Sequence, residues 1–355
     1  MKKISPELYG NYKAIEKLNK IIVSKRIPHA LLFIGPEGIG KFYYTLKFIK
    51  AINESSGDII DNYLNKLLEP YIKYIFPVPS TKEANEENIN EEYIIEYTQN
   101  KIKNPFYELL DDSSKSIPIQ IIRNLNNFLS LQITELNYRA VIIDDVHLLT
   151  LPAQQAFLKI LEEPPSGVIF ILLTSQQNLL LDTIKSRCQI INFAPLENKY
   201  LRNILHDFFN IDKLNDDLLN VSDGQVFNYL KYQDNDIKKL IEDVLSFLRF
   251  SVTKKYNSAY QIAINYFAKD DKNISIFLKF LHYWLFEAIE IKYNKDIILF
   301  QEQRSSLEKF SKRYEIHKLI TLSQNLEKYS DLINKNINLN ILLFNIILEF
   351  SQLQT

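Results

Sequence analysis

The sequence predicts an α/β domain built on a parallel sheet with flanking helices, then a small helical lid and an all-α C-terminal region. Three observations predict it. Apolar runs of strand length alternate with helical patterns up to about residue 194. Three of the seven glycines (Gly35, Gly38 and Gly40) fall within six residues, directly behind one of those runs. The twelve prolines end at Pro195, and Gln225 to Thr355 holds neither Gly nor Pro, so nothing there breaks a helix strongly.

Taken in order, Ala30–Ile34, Ala140–Ile143 and Val168–Leu173 are near-continuous apolar runs, as strands covered on both faces require. Ile190–Phe193 is a weaker fourth. Residues 51–115 read as an insertion with some helix, interrupted by Ser55-Ser56-Gly57 and Pro77-Val78-Pro79; its acidic run Glu83–Glu96 reads as a solvated face. A lid over 195–240 breaks at Ser222-Asp223-Gly224. A helical collar comes after it over 241–355, and its last helix sets Leu339, Leu342, Leu343, Ile346, Ile347 and Phe350 on one face. The expected domains are therefore 1–194, 195–240 and 241–355.

Composition excludes several classes. With 46% hydrophobic and 24% charged residues the chain has the make-up of a globular protein, not of a disordered one. Lys+Arg number 42 and Asp+Glu 43, for a net charge of -1, which is not the basic balance of a chain that holds nucleic acid by bulk electrostatics. The single cysteine, Cys188, excludes a disulfide within the chain and a multi-cysteine zinc site. His29, His147, His206, His282 and His317 show no pairing at metal-ligand spacing and read as structural. Met1–Glu7 has no apolar core of a secretory signal, and no run approaches the length of a membrane span, so a cytoplasmic location is expected.

The glycine cluster carries chemistry. Gly35-Pro36-Glu37-Gly38-Ile39-Gly40-Lys41 lies between an apolar strand and the helical pattern Phe42–Ile52, the context of a phosphate-binding loop. Backbone N–H groups of such a loop cradle phosphates, and Lys41 would reach toward them. The plainer alternative is a tight strand–helix turn with an exposed lysine. The residue after the lysine should be Ser or Thr, whose hydroxyl holds Mg²⁺. Phe42 has no oxygen, and Thr45 is nearly a turn away. ATP is therefore expected to meet only the loop backbone and Lys41, and magnesium to be held badly.

Val141-Ile142-Ile143-Asp144-Asp145 is a buried strand ending in two carboxylates. Asp144 fits the metal-orienting position. Asp145 stands where hydrolysing enzymes of this kind carry Glu and is shorter by one C–C bond, roughly 1.5 Å; a shortfall of that size is costly for a general base. Two solvated aspartates at a strand end are the alternative.

Further motifs complete the pattern: Ile27-Pro28-His29-Ala30-Leu31-Leu32-Phe33 ahead of the loop, Leu158-Lys159-Ile160-Leu161-Glu162-Glu163-Pro164-Pro165 after the acidic strand, and Ser186-Arg187-Cys188 behind Thr174-Ser175-Gln176. In this order they resemble the AAA+ clamp-loader ATPases, strongly over Tyr9–Ala51 and Lys115–Pro195. The resemblance implies an AAA+ P-loop core, with Arg187 as an arginine finger reaching a neighbouring subunit's ATP and Thr174 as a γ-phosphate sensor. It implies as partners the ATPase subunits and the delta subunit of the loader, and through them the sliding clamp and primer–template DNA. The chain departs from the family at four places: Phe42, Asp145, Gln225-Val226-Phe227-Asn228 where active loaders carry a lid arginine after Gly224, and residues 51–115, which lack the cysteines of a zinc module. A non-hydrolysing accessory subunit fits this combination. A competent motor ATPase and a P-loop small-molecule kinase are the two alternatives.

Overall fold

The computed structural model describes residues 3–4, 9–54, 57–67, 69–79, 91–108, 115–130, 136–267, 271–333 and 338–354. Ser55-Ser56, residues 83–90 of the acidic run and much of Met1–Glu7 lie outside them. The chain forms two compact units, one of residues 1–212 with 224–227 and one of 213–223 with 228–355.

The elements of the first unit are α1 (Tyr12–Ser24), β1 (Ala30–Ile34), α2 (Lys41–Ile52), α3 (Gly57–Leu64), β2 (Ile72–Ile75), β3 (Val78–Pro79), α4 (Glu91–Lys103), β4 (Lys115–Ser116), α5 (Ile119–Leu129), β5 (Arg139–Ile143), α6 (Leu151–Glu162), β6 (Val168–Thr174), α7 (Asp182–Lys185), β7 (Gln189–Asn192) and α8 (Asn198–Phe209). Five strands form one parallel sheet in the order β2-β5-β6-β1-β7. Every residue of β5 and β6 is buried, as strands sandwiched between helix layers must be. Leu32, Val141, Phe170 and Leu172 pack on Leu125 and Phe128 of α5 and Phe157 and Leu161 of α6. Buried Arg139, which opens β5, has a local cause: its guanidinium donates to Phe128 O at 2.5 Å and Leu129 O at 3.0 Å, closing the carbonyls at the end of α5.

The four strands expected from the sequence are present, with ends shifted by one residue at most. The fifth, β2, lies within 51–115: Ile72–Ile75 pairs with Ala140–Ile143 as one of the two edge strands. Part of that segment therefore belongs to the sheet. Its short run Ile-Lys-Tyr-Ile lies between Pro70 and Pro77, and carries too little apolar pattern to be separated from a loop by sequence.

The second unit is helical, as the absence of Gly and Pro predicts. It holds α9 (Asp216–Val221), most of α10 (Val226–Tyr232), α11 (Ile237–Val252), α12 (Tyr256–Phe267), α13 (Asp271–Lys292), α14 (Arg304–Arg313), α15 (Ile316–Ile333) and α16 (Leu339–Ser351). α13 packs on α14 and α15, and α16 on α11 and α12. The face of α16 expected to be apolar is buried from Leu342 to Phe350, with the Phe350 ring against Phe247. Trp284 is a core residue, edge-on to Phe300. No helix among the described residues is long and apolar enough to cross a membrane.

Candidate functional site

A parallel sheet gathers its strand ends, and loops from β1, β5 and β6 meet at the C-terminal edge. Gly35 N donates to Thr174 O at 3.1 Å, which fixes the glycine loop beside the end of β6. Glycine is required there by space and by conformation. A Cβ on Gly35 would stand 2.4 Å from Phe193 O, and Gly38 and Gly40 take φ of +66° and +95°. The plainer reading of the loop, a turn with an exposed lysine, does not hold: Lys41 is buried, and its Nζ donates to Gly35 O at 2.6 Å and Pro36 O at 2.5 Å. Burial lowers its pKa against the pull of Asp145, Asp144 and Glu37.

Phe42 is buried, its ring 5.0 Å from that of Tyr74 on β2. Thr45 is no substitute for the absent hydroxyl, because its Oγ1 donates to Lys41 O at 3.0 Å inside α2. Asp144 is buried at the end of β5. Tyr74 Oη donates to its Oδ2 at 3.0 Å, and the Nζ of Lys101, from α4, lies 3.3 Å from the same oxygen. Lys101 also pairs with Glu108 and donates to Tyr107 O at 2.9 Å. Burial works against its charge, but Glu108 and Asp144 outweigh burial and hold the ammonium above its ordinary range. Placed this way, the side chains do not fit a magnesium ion: residue 42 offers no oxygen, and Asp144, which the resemblance would have orient the metal, already has a cation.

Asp145 takes a left-handed conformation, φ +44°, where the chain leaves β5. Burial first, then the charges of Asp144, Glu108 and Glu37, push its carboxyl well above the usual range. Thr174, fully buried, accepts from Gln176 N at 3.0 Å and pairs with His147 Nδ1 at 3.1 Å. Burial and the Lys41 charge lower the His147 pKa to about 4, so at neutral pH the imidazole beside Thr174 is uncharged.

The segment Gly224–Phe227, which belongs to the first unit, reaches the same loop. Gly224, at φ +67°, passes so close to Leu196 that a Cβ would stand 2.2 Å from its carbonyl oxygen. Three residues on, Phe227 brings its ring over the loop, and a Cβ on Gly38 would meet its Cδ2 at 2.8 Å. A ring thus lies on the glycine loop, in the segment where the resemblance calls for a lid arginine.

Arg187 is not in this cluster. β7 pairs with β1 from Gln189 against Leu31 to Asn192 against Ile34, so Arg187 lies ahead of the strand, at the N-terminal edge of the sheet. At least about 10 Å of strand separates it from the edge where the glycine loop starts. Its Nη2 donates to Glu162 Oε1 at 2.9 Å and its Nη1 to Thr183 O at 3.0 Å. Ser186 Oγ donates to Thr183 O at 3.1 Å. Cys188 packs on the sheet core, and burial pushes its thiol pKa up to about 12, so it is no nucleophile near neutral pH.

The sequence-selected residues Gly35, Gly38, Gly40, Lys41, Phe42, Asp144, Asp145 and Thr174 are brought together; Ser186, Arg187 and Cys188 form a separate cluster. Sequence reasoning misses Lys101, Glu108, Tyr74 and Phe227 as members of the first. The only signal for Lys101 is the spacing Tyr93, Tyr97, Lys101 along one face of α4.

A family model described as DNA polymerase III, delta subunit matches residues 78–197, and one described as its C-terminal part matches residues 236–352. The chain is similar to the tau subunit of DNA polymerase III from Bacillus subtilis, 27% identical over 193 residues, which are 54% of this chain and 29% of the relative. It therefore spans less than a third of that relative's length. The replication factor C small subunit of Methanosarcina mazei is 24% identical over 240 residues, 67% of this chain and 56% of its own. Among solved structures, a gamma subunit-related protein from Thermotoga maritima superposes with a TM-score of 0.42 at 15% identity, covering 97% of this chain and all of that one.

Proposed function

The chain belongs to the clamp-loader family of DNA polymerase III subunits, and we propose that within it this is a delta-prime-like accessory subunit that does not hydrolyse ATP. Its phosphate loop is vestigial, and it supplies Arg187 in trans to the ATP of a neighbouring subunit. It works in the cytoplasm in a hetero-oligomer with the ATPase subunits and the delta subunit, and so helps to load the sliding clamp on primer–template DNA.

The observation that carries this reading is the separation of the two clusters. Arg187 stands at the edge of the sheet opposite the glycine loop, so it cannot serve the chain's own site. A guanidinium suits service to another subunit, being always charged and presenting a planar fork to phosphate oxygens. The own site supports the reading from the other side, with Phe42 for the hydroxyl, the shorter Asp145 for the base and Phe227 over the loop.

The test is turnover of Mg²⁺-ATP by the purified chain, alone and then with its ATPase and delta partners. No turnover alone, with clamp-stimulated turnover in the complex that depends on Arg187, is the expected result. Robust turnover by the isolated chain would make it a motor subunit instead.

A further inference from the structure

We infer that the ammonium of Lys101 is the resident cation of the acidic strand end, standing at Asp144 where a hydrolysing relative of this fold would hold a divalent metal. The inference rests on the non-hydrolysing reading above and gives it a cause that sequence motifs do not contain.

Three observations carry it. First, the charge is in place: Lys101 Nζ lies 3.3 Å from Asp144 Oδ2 and is also paired with Glu108, while the lysine side chain is only 1% exposed. A buried carboxylate needs a cation or a set of donors, and Asp144 has both already, from Lys101 and from Tyr74 Oη. Second, the surroundings are shaped for an ammonium. The Nζ lies 5.1 Å from the Phe42 ring centroid and 5.9 Å from that of Tyr97. An aromatic face attracts an ammonium but offers no lone pair for a small divalent ion. Phe42 is thus more than a lost ligand: its ring forms one wall of the lysine's site. Third, the segment that delivers Lys101 is anchored. Asn104 Nδ2 donates to Phe208 O at 3.0 Å, Phe106 is buried between Tyr43 and Phe208, and Tyr97 stacks on Phe76 at 4.4 Å and donates to Glu108 Oε2 at 2.7 Å.

The test is Mn²⁺ binding to the full chain, read as loss of the free Mn²⁺ paramagnetic resonance signal. The wild-type chain is expected to take up no Mn²⁺ at Asp144 at sub-millimolar concentrations. Lys101→Met is expected to bind one Mn²⁺ at least about tenfold more tightly than wild type, because a like charge in contact with the carboxylate is gone. Adding Asp144→Asn should abolish that binding. Should Lys101→Met alone fail to fold, Lys101→Met with Glu108→Gln removes one charge of each sign and is read in the same way through Asp144. Mn²⁺ uptake by the wild-type chain that Asp144→Asn removes would overturn the inference, and so would a folded Lys101 variant that stays silent. If the wild-type chain takes up Mn²⁺ there yet turns over no ATP, this inference fails alone; turnover by the isolated chain is what defeats the non-hydrolysing reading.

Discussion

Arg187 Nη2 lies 2.9 Å from Glu162 Oε1, so the last residue of α6 and the residue pair behind α7 are tied together at the N-terminal edge of the sheet. Two motifs 25 positions apart in sequence are one local structure. The carboxylate holds the guanidinium at the surface without burying it, the pair being 34% and 51% exposed.

That exposure sets the expectation for Arg187→Ala. A half-exposed pair contributes under about 1 kcal/mol, so urea denaturation and assembly by size exclusion should match wild type. In the reconstituted loader, hydrolysis at the one neighbouring site should fall by about 10³-fold, and total turnover by that site's share. Arg187→Lys should not restore it, because a point charge lacks the fork. Unchanged turnover would remove the role in trans.

Gly224→Ala should destabilise the chain strongly. Its φ of +67° alone costs a β-carbon about 1–3 kcal/mol, and the added atom would stand 2.2 Å from Leu196 O, a backbone atom that cannot rotate away. Gly57→Ala is the comparison: φ is +44°, with nothing within 4 Å. Equal losses in urea midpoint would show that close approach is not what requires glycine at 224.

His147 makes stability depend on pH in a stated direction. Its pKa is about 4 in the folded chain against 6.5 for the free side chain, so the unfolded chain binds the proton first. The contribution is fully present above about pH 6.5 and is lost as pH falls toward 4, and the full difference amounts to about 3 kcal/mol. His147→Asn should therefore lose less stability than wild type between pH 6.5 and 4, measured by denaturant melts. Parallel curves would mean that the imidazole is not held neutral by its surroundings.

In the helical unit, buried Glu287 accepts from Ile298 N at 2.9 Å, Leu299 N at 2.6 Å and Phe300 N at 3.1 Å, closing the loop after α13. Glu287→Ala leaves those donors without a partner and should cost about 3 kcal/mol or more. Glu287→Gln, which keeps an acceptor, should cost less. If thermal melts rank the two in reverse order, the carboxylate's bonds are not what holds the loop.

Local pattern in the chain is enough to specify four of the five strands of the sheet and the two clusters of motifs. Leu31–Phe33, Val141–Ile143 and Phe170–Leu172 are apolar on both faces, as a strand between helix layers is, and are of strand length between turn signals. Gly35, Gly38 and Gly40 mark a backbone that a β-carbon would block. Each of these signals needs only periodicity, or the steric limits of a few residues in a row. For the same reason the chain past Gln225, free of Gly and Pro, is legible as helix. Packing in three dimensions settles what is long-range. It makes Ile72–Ile75 an edge strand, because pairing with β5 stabilises a run too short to announce itself. It sets Lys101 against Asp144 and the Phe227 ring against Gly38, contacts across 43 and 189 positions that no spacing rule encodes. And it puts Arg187 and Lys41 at opposite edges, since a parallel sheet sends all its strands the same way and so separates residues ahead of a strand from residues behind one.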